Sequence, residues 1–180
     1  MFQMKRLASF LVVLVMALPL AACGEGGLDF GPEEEPGVKY GSMGDTLSTA
    51  WFDFTVDGAY SCSEYCGYAS SAGYKLVVVA MTLKNDRGEP VDLWGDDFVI
   101  FWGDDDNALD IPLSAGLSGD QFPDEYVLSA NELRAGVMVF EVPEEFRDFG
   151  IMFTDFFESE TDPDGDAGST YRVDFTAEDR

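Results

Sequence analysis

The chain predicts an all-β protein: an immunoglobulin-like antiparallel β-sandwich of about seven strands filling residues 44–180. Three observations carry this expectation. From Leu47 onward, apolar residues alternate with polar ones or form short β-branched runs. Clusters of Gly, Asp, Asn and Pro separate those runs. No apolar stripe at i, i+3, i+4, i+7 persists beyond two turns.

Taken in order, Phe52, Phe54 and Val56 alternate with Asp53 and Thr55, the pattern of a half-buried strand. Tyr74–Lys84 is apolar on both faces and β-branched, as a central strand should be. Asn85-Asp86-Arg87-Gly88 is a turn signal, with Pro90 just beyond it. Phe98–Trp102 and residues 108–111 flank Gly103-Asp104-Asp105-Asp106-Asn107 and read as a hairpin. Residues 137–142 form another β-rich run, stopped by Pro143. Residues 150–156 and 170–175 supply the last two strands, while residues 130–135 and 144–148 read as isolated helical turns.

Several of these segments together resemble a known exported domain. They are Gly44-Asp45-Thr46, Phe52-Asp53-Phe54-Thr55-Val56, residues 76–85 with Gly88-Glu89-Pro90-Val91, Asp97-Phe98, and Asn131-Glu132 leading into residues 136–143. The domain occurs in bacterial surface lipoproteins, has no known function, and is related to an immunoprotective extracellular antigen of mycobacteria. The resemblance covers roughly residues 44–175; it implies an immunoglobulin-like sandwich and brings neither an activity nor catalytic residues. Where that family usually has Pro-Gly-Glu, this chain has Ala130-Asn131-Glu132. Asparagine accepts positive φ more readily than other non-glycine residues, so the turn is expected to survive.

The first 23 residues have a different character. Lys5 and Arg6 precede an apolar run over residues 7–20, and Leu20-Ala21-Ala22-Cys23 places small residues before a cysteine. This is the order of a secretory signal, and the run is shorter than the ~20 residues needed to span a bilayer. The segment resembles the lipobox of bacterial lipoproteins. That resemblance implies removal of residues 1–22 and a diacylglyceryl group on Cys23, whose two chains give stable attachment to the cell membrane from the extracytoplasmic side. Residues 23–43 are rich in Gly, Pro and Glu and read as a flexible tether, with a typical reach of ~25 Å for 20 residues.

Composition narrows the function. The chain has 35 acidic and 10 basic residues. Two of the basic ones leave with the signal, so the mature part (eight basic against 35 acidic) carries a formal charge near −27. Such a field repels nucleic acid and anionic headgroups and favours solubility outside the cell. Histidine is absent, which excludes Ser-His-Asp and Cys-His catalysis and histidine metal ligation. Cys62 and Cys66 are expected to oxidise outside the membrane to a structural disulfide, contributing about 2 kcal/mol. A zinc site would want four ligands, and no histidine exists to complete one. A redox role is disfavoured by the three-residue spacing.

Three constellations remain. Tyr60, Tyr65, Tyr68 and Tyr74 bracket the cysteine loop among Ser and Gly, the composition of a recognition loop; packing onto the sandwich core is the competing explanation. Asp162, Asp164 and Asp166 alternate as in calcium loops, yet Ala167 and Val173 stand where glycine and glutamate are required; a solvated acidic turn is the simpler reading, and no cofactor is expected. Trp51, Trp94 and Trp102 read as packing residues. The expected function is therefore a lipid-anchored, non-enzymatic sandwich presenting a binding surface at the cell envelope to a protein or glycan partner. The alternative is a carboxylate-based hydrolase of envelope polysaccharide, which needs two acids close together in a cleft lined by Trp or Tyr. Changing Cys23→Ala is expected to move the protein from the membrane fraction to the medium in immunoblots of fractionated cells; unchanged membrane retention would contradict the lipid anchor.

Overall fold

The alternation at residues 52–56 sends Phe52, Phe54 and Val56 into the interior, where each is fully buried. They lead and open one of fourteen strands in a computed structural model describing residues 37–103, 108–157 and 165–180. The strands are β1 (Val38–Ser42), β2 (Thr46–Ser48), β3 (Asp53–Cys62), β4 (Glu64–Tyr65), β5 (Tyr68–Ala69), β6 (Tyr74–Lys84), β7 (Val91–Trp94), β8 (Phe98–Trp102), β9 (Leu109–Asp110), β10 (Glu125–Leu128), β11 (Leu133–Pro143), β12 (Asp148–Phe157), β13 (Asp166–Thr176) and β14 (Glu178–Asp179). Among the described residues the only helical element is a 3₁₀ turn at Gly95–Asp97.

Two sheets form the sandwich. One runs β1-β13-β12-β8-β9; the other runs β11-β6-β3-β14, with β2 added against β3. Most pairs are antiparallel, but β1–β13 and β14–β3 are parallel, a departure from the all-antiparallel expectation. An aromatic seam joins the sheets: Phe52 and Phe54 of one face meet Phe153, Phe98 and Tyr171 of the other at centroid separations of 4.9–6.5 Å. Burying each such ring contributes roughly 1.5–3 kcal/mol, with edge-to-face geometry adding to it.

β6 is apolar on both faces because it separates two cores. Val77, Val79, Met81 and Leu83 face the seam, whereas Leu76 and Val78 join Val139 of β11 in a second cluster on the outer side. The segment between β9 and β10 covers that outer side: Leu113 and Leu117 pack onto the cluster, and the segment bonds to β11 through Leu113 N–H to Val139 O (2.7 Å) and Phe122 N–H to Val137 O (3.0 Å). Gly136 is required there, since a Cβ would lie 2.9 Å from the Asp120 carbonyl oxygen.

A buried carboxylate ties the sheets at one end. The irregularity between Thr154 and Phe156 accompanies the burial of Asp155, which is 2% exposed. It accepts from Tyr171 Oη at 2.9 Å and from the Ala50 amide at 3.2 Å, just before β3. Burial raises its pKa, opposed by those two bonds and by the Lys39 charge. Asn85, fully buried after β6, donates through Nδ2 to the carbonyls of Glu89 (2.8 Å) and Leu128 (3.0 Å) and accepts from the Arg87 amide (2.9 Å).

Several expectations are corrected. The tether does not extend to Met43: Val38–Ser42 is β1, because its backbone completes the edge of β13. Residues 130–135 are not a helical turn; a tight turn at Ala130-Asn131 feeds directly into β11. Residues 144–148 turn only at Glu144-Glu145, after which Phe146 packs against the main core and the chain extends into β12. The Cys62–Cys66 disulfide is not formed. Cys62 packs against the second cluster, while Cys66 is exposed in the two-residue turn joining β4 and β5. Cys66 and Gly67 both have positive φ there (50° and 87°), the requirement of a type I′ hairpin turn. Cys23, residues 1–22, most of the tether, the tip at residues 104–107, and Asp162 and Asp164 lie outside the described residues. Asp166 is exposed at the start of β13, and among the described residues no three acidic or cysteine side chains gather as a metal site.

Asn131 does adopt positive φ (63°), and Glu132 closes its turn by accepting from the Ser129 amide at 2.8 Å. Asn131→Val is expected to lower stability by about 1–2 kcal/mol in urea unfolding and Asn131→Gly to leave it unchanged or raised. A tolerated valine would contradict the strained turn.

Candidate functional site

The four tyrosines differ in burial. Tyr60 on β3 and Tyr65 on β4 pack onto the second cluster. Tyr65 Oη donates to Ser118 Oγ at 2.9 Å, fastening the β4–β5 hairpin to the covering segment. Burial raises both phenol pKa values, and the Arg180 guanidinium lies over the Tyr60 ring at 4.3 Å. Tyr68 and Tyr74 remain exposed, Tyr68 opposite Tyr65 and Tyr74 opposite Pro143. Packing on the core therefore accounts for two of the four.

A larger concavity lies at one end of the β1-containing sheet. It is an open groove of about 790 Å³, within the ~300–1,000 Å³ range of small-ligand sites. The floor follows from strand register. Gly150 on β12 is opposite both Phe101 on β8 and Asp174 on β13, while Arg172 is opposite Met152 and Tyr40. Gly150 lets the Phe101 ring lie across the strand; a Cβ would sit 1.9 Å from Phe101 Cζ. The Arg172 guanidinium covers that ring at 3.8 Å from its centroid, and its Nε donates to Asp174 Oδ1 at 2.6 Å. Trp102 and Phe146, 6.4 Å apart, are packed on the core and line the groove wall. Arg147 stands beside them, paired with Asp179, which also accepts from Ser61 Oγ at 2.7 Å. Ser61 first, then Arg147, hold the Asp179 pKa below the usual carboxylate range.

Sequence reasoning missed this groove. The strand at residues 170–175 was legible, and its alternation puts Arg172 and Asp174 on the face opposite Tyr171, Val173 and Phe175. An arginine on the outer face of a strand in so acidic a chain was the available signal. Nothing in the sequence indicated that Gly150 would seat Phe101 beneath it.

A second groove of about 360 Å³ separates residues 94–96 from the covering segment and gathers Trp94, Asp96, Asp124 and Glu125. Asp124 is committed to the backbone, accepting from the Ala115 amide at 2.5 Å. Asp97 accepts from the Trp94 amide at 2.8 Å. Burial pushes its pKa up to about 6, with the Asp96 charge adding and the Trp94 bond opposing.

The two packed sheets define the chain as a β-sandwich protein. No protein-family model and no curated protein matches it. Among solved structures it is similar to the yjhA protein of Bacillus subtilis, with 11% identity, a TM-score of 0.55, and coverage of 73% of this chain and 98% of that one. It is also similar to a functionally unknown protein of Listeria monocytogenes EGD-e, with 10% identity, a TM-score of 0.52, and coverage of 76% and 84%. A third similarity is to ycdA, a candidate lipoprotein of Bacillus subtilis subsp. subtilis str. 168, with 16% identity, a TM-score of 0.50 and coverage of 72% of this chain. The chain spans 38% of the length of that ycdA structure. At these identities the likeness is one of fold.

Asp97 gives a pH test. Its folded pKa lies above the ~3.9 of an unfolded aspartate, so the folded state binds more protons between the two values. The stability it contributes is present below about pH 4 and lost as pH rises through about 6. Asp97→Asn keeps the acceptor for Trp94 but does not titrate. Its stability relative to the parent is expected to rise by on the order of 2 kcal/mol from pH about 4 to about 7 in urea unfolding. A difference that stays flat with pH would remove the assignment.

Proposed function

We propose that this protein is an exported, lipid-anchored, non-enzymatic β-sandwich whose groove beside Phe101 and Arg172 binds a partner at the cell envelope. The signal and lipobox at Cys23 support the location. So does the description of ycdA, a fold neighbour, as a candidate lipoprotein. The quoted motifs further support kinship with the exported domain related to the mycobacterial antigen.

The observation that carries the binding role is the groove's make-up: arginine and carboxylate side chains beside the half-buried Trp102 and Phe146. On β13 its lining runs from Arg172, opposite Tyr40 of β1, to Thr176. Its far end therefore lies six residues beyond Thr170, where the chain enters β1, or about 20 Å at 3.3 Å per residue. An enzymatic reading has one supporting observation, the gathering of Trp94, Asp96, Asp124 and Glu125 in the second groove.

Immobilised full-chain protein incubated with envelope extract tests both readings. Expected is retention of envelope material that Arg172→Ala and Trp102→Ala each reduce, with no release of sugar fragments. Retention indifferent to both substitutions would refute binding through the groove. Fragment release abolished by Asp96→Asn would replace it with hydrolysis.

A further inference from the structure

Resting on the groove-binding role above, we propose that the groove takes a neutral, polyhydroxylated ligand, an oligosaccharide segment, rather than an anion, a cation or an apolar molecule. Its charges are mixed at close range. Arg147 and Arg172 share the lining with Glu145, Asp148 and Asp174. An anion entering it meets three carboxylates, and both guanidiniums are already engaged, Arg147 by Asp179 and Arg172 by Asp174. A cation meets the two arginines. An apolar molecule would strip water from all five charged groups without replacing their hydrogen bonds, which is costly.

A sugar satisfies the same lining. Each hydroxyl both donates and accepts, so it can bond a guanidinium N–H and a carboxylate oxygen together, and bonds to charged groups are the stronger kind. The C–H face of a pyranose needs a flat apolar surface, and Trp102 and Phe146 are half-buried on the wall with their inner sides fixed by the core. The polar groups are also held in advance. Phe101 is seated on Gly150, Arg172 lies on Phe101, Nε is committed to Asp174, and Asp148 accepts from Thr176 Oγ1 at 2.6 Å. Side chains fixed before binding lose little rotamer freedom when the ligand arrives. Tyr68 and Tyr74 are not needed for this recognition.

The test is calorimetric titration of the full-chain protein, in a detergent without a sugar headgroup, with chitotetraose, cellotetraose and maltotetraose. At least one is expected to bind saturably. Its affinity should be unchanged between about 0.05 and 0.5 M salt, because a neutral ligand has no charge to screen. Arg172→Gln or Trp102→Ala should weaken it by about tenfold with the circular dichroism spectrum unchanged. Should Trp102→Ala disturb folding, Glu145→Gln on the exposed rim serves instead, weakening a sugar and strengthening an anion. No heat with any of the three sugars overturns the proposal. Binding of inorganic phosphate or tetraglutamate that Glu145→Gln strengthens also overturns it. Retention of envelope material that ignores the groove substitutions removes the binding role itself, whereas groove-dependent retention without sugar binding removes only the ligand class.

Discussion

The contact between Phe52 and Phe54 on one sheet and Phe98, Phe153 and Tyr171 on the other is the constraint from which the remaining architecture follows. Five rings interlock across the interior, so the register of β3 against β8, β12 and β13 has little freedom: a slip by one residue would turn Phe54 outward. With that register fixed, the outward positions are fixed too. Gly150 is brought opposite Phe101, and Arg172 falls on the same face as Asp174. The groove lies at one end of the β1-containing sheet, and its shape is inherited from the strand register that brings Phe101, Gly150 and Arg172 together.

A second consequence concerns β6. A strand covered on both faces needs something over its outer side, and the segment between β9 and β10 supplies it with Leu113 and Leu117. Tyr65 then locks the β4–β5 hairpin to that cover through Ser118. The Tyr/Ser/Gly composition around the cysteines therefore serves, in half of its tyrosines, a packing role. Among the described residues Asp155 is the one buried charged side chain, held by Tyr171 and Ala50 in the region where Lys39 joins the sheet.

How much of this could be read from the residues depended on strand length and burial. The Tyr74–Lys84 and Phe98–Trp102 strands were legible to the residue, because β-branched and aromatic enrichment between turn residues decides for a strand over a buried helix. Positive φ at Asn131 was expected from the Pro-Gly-Glu of the resembled domain, whereas residues 130–135 read alone suggested a helical turn. β1, β2, β7 and β10 were missed: each has three to five residues, several of them exposed, and each is defined by the partner whose edge it completes. The groove was illegible for a related reason. It depends on Phe101, Gly150 and Arg172, which are far apart in the chain and meet only across strands. The missing disulfide reflects a local preference, in which positive φ at Cys66 and Gly67 suits a tight hairpin and Cys62 is occupied as a small apolar filler.

The parallel pairing of β1 with β13 has a mechanical meaning. The chain enters at Gly37, whose carbonyl accepts from Thr170, and β1 continues alongside β13 as far as Ser42. Traction on the upstream segment along the strand axis loads the whole ladder in shear, so its bonds must rupture together and not one after another. A perpendicular pull would instead peel β1 away from Gly37 onward. Resistance to force at this edge is therefore directional, and greatest for a pull along the strand axis.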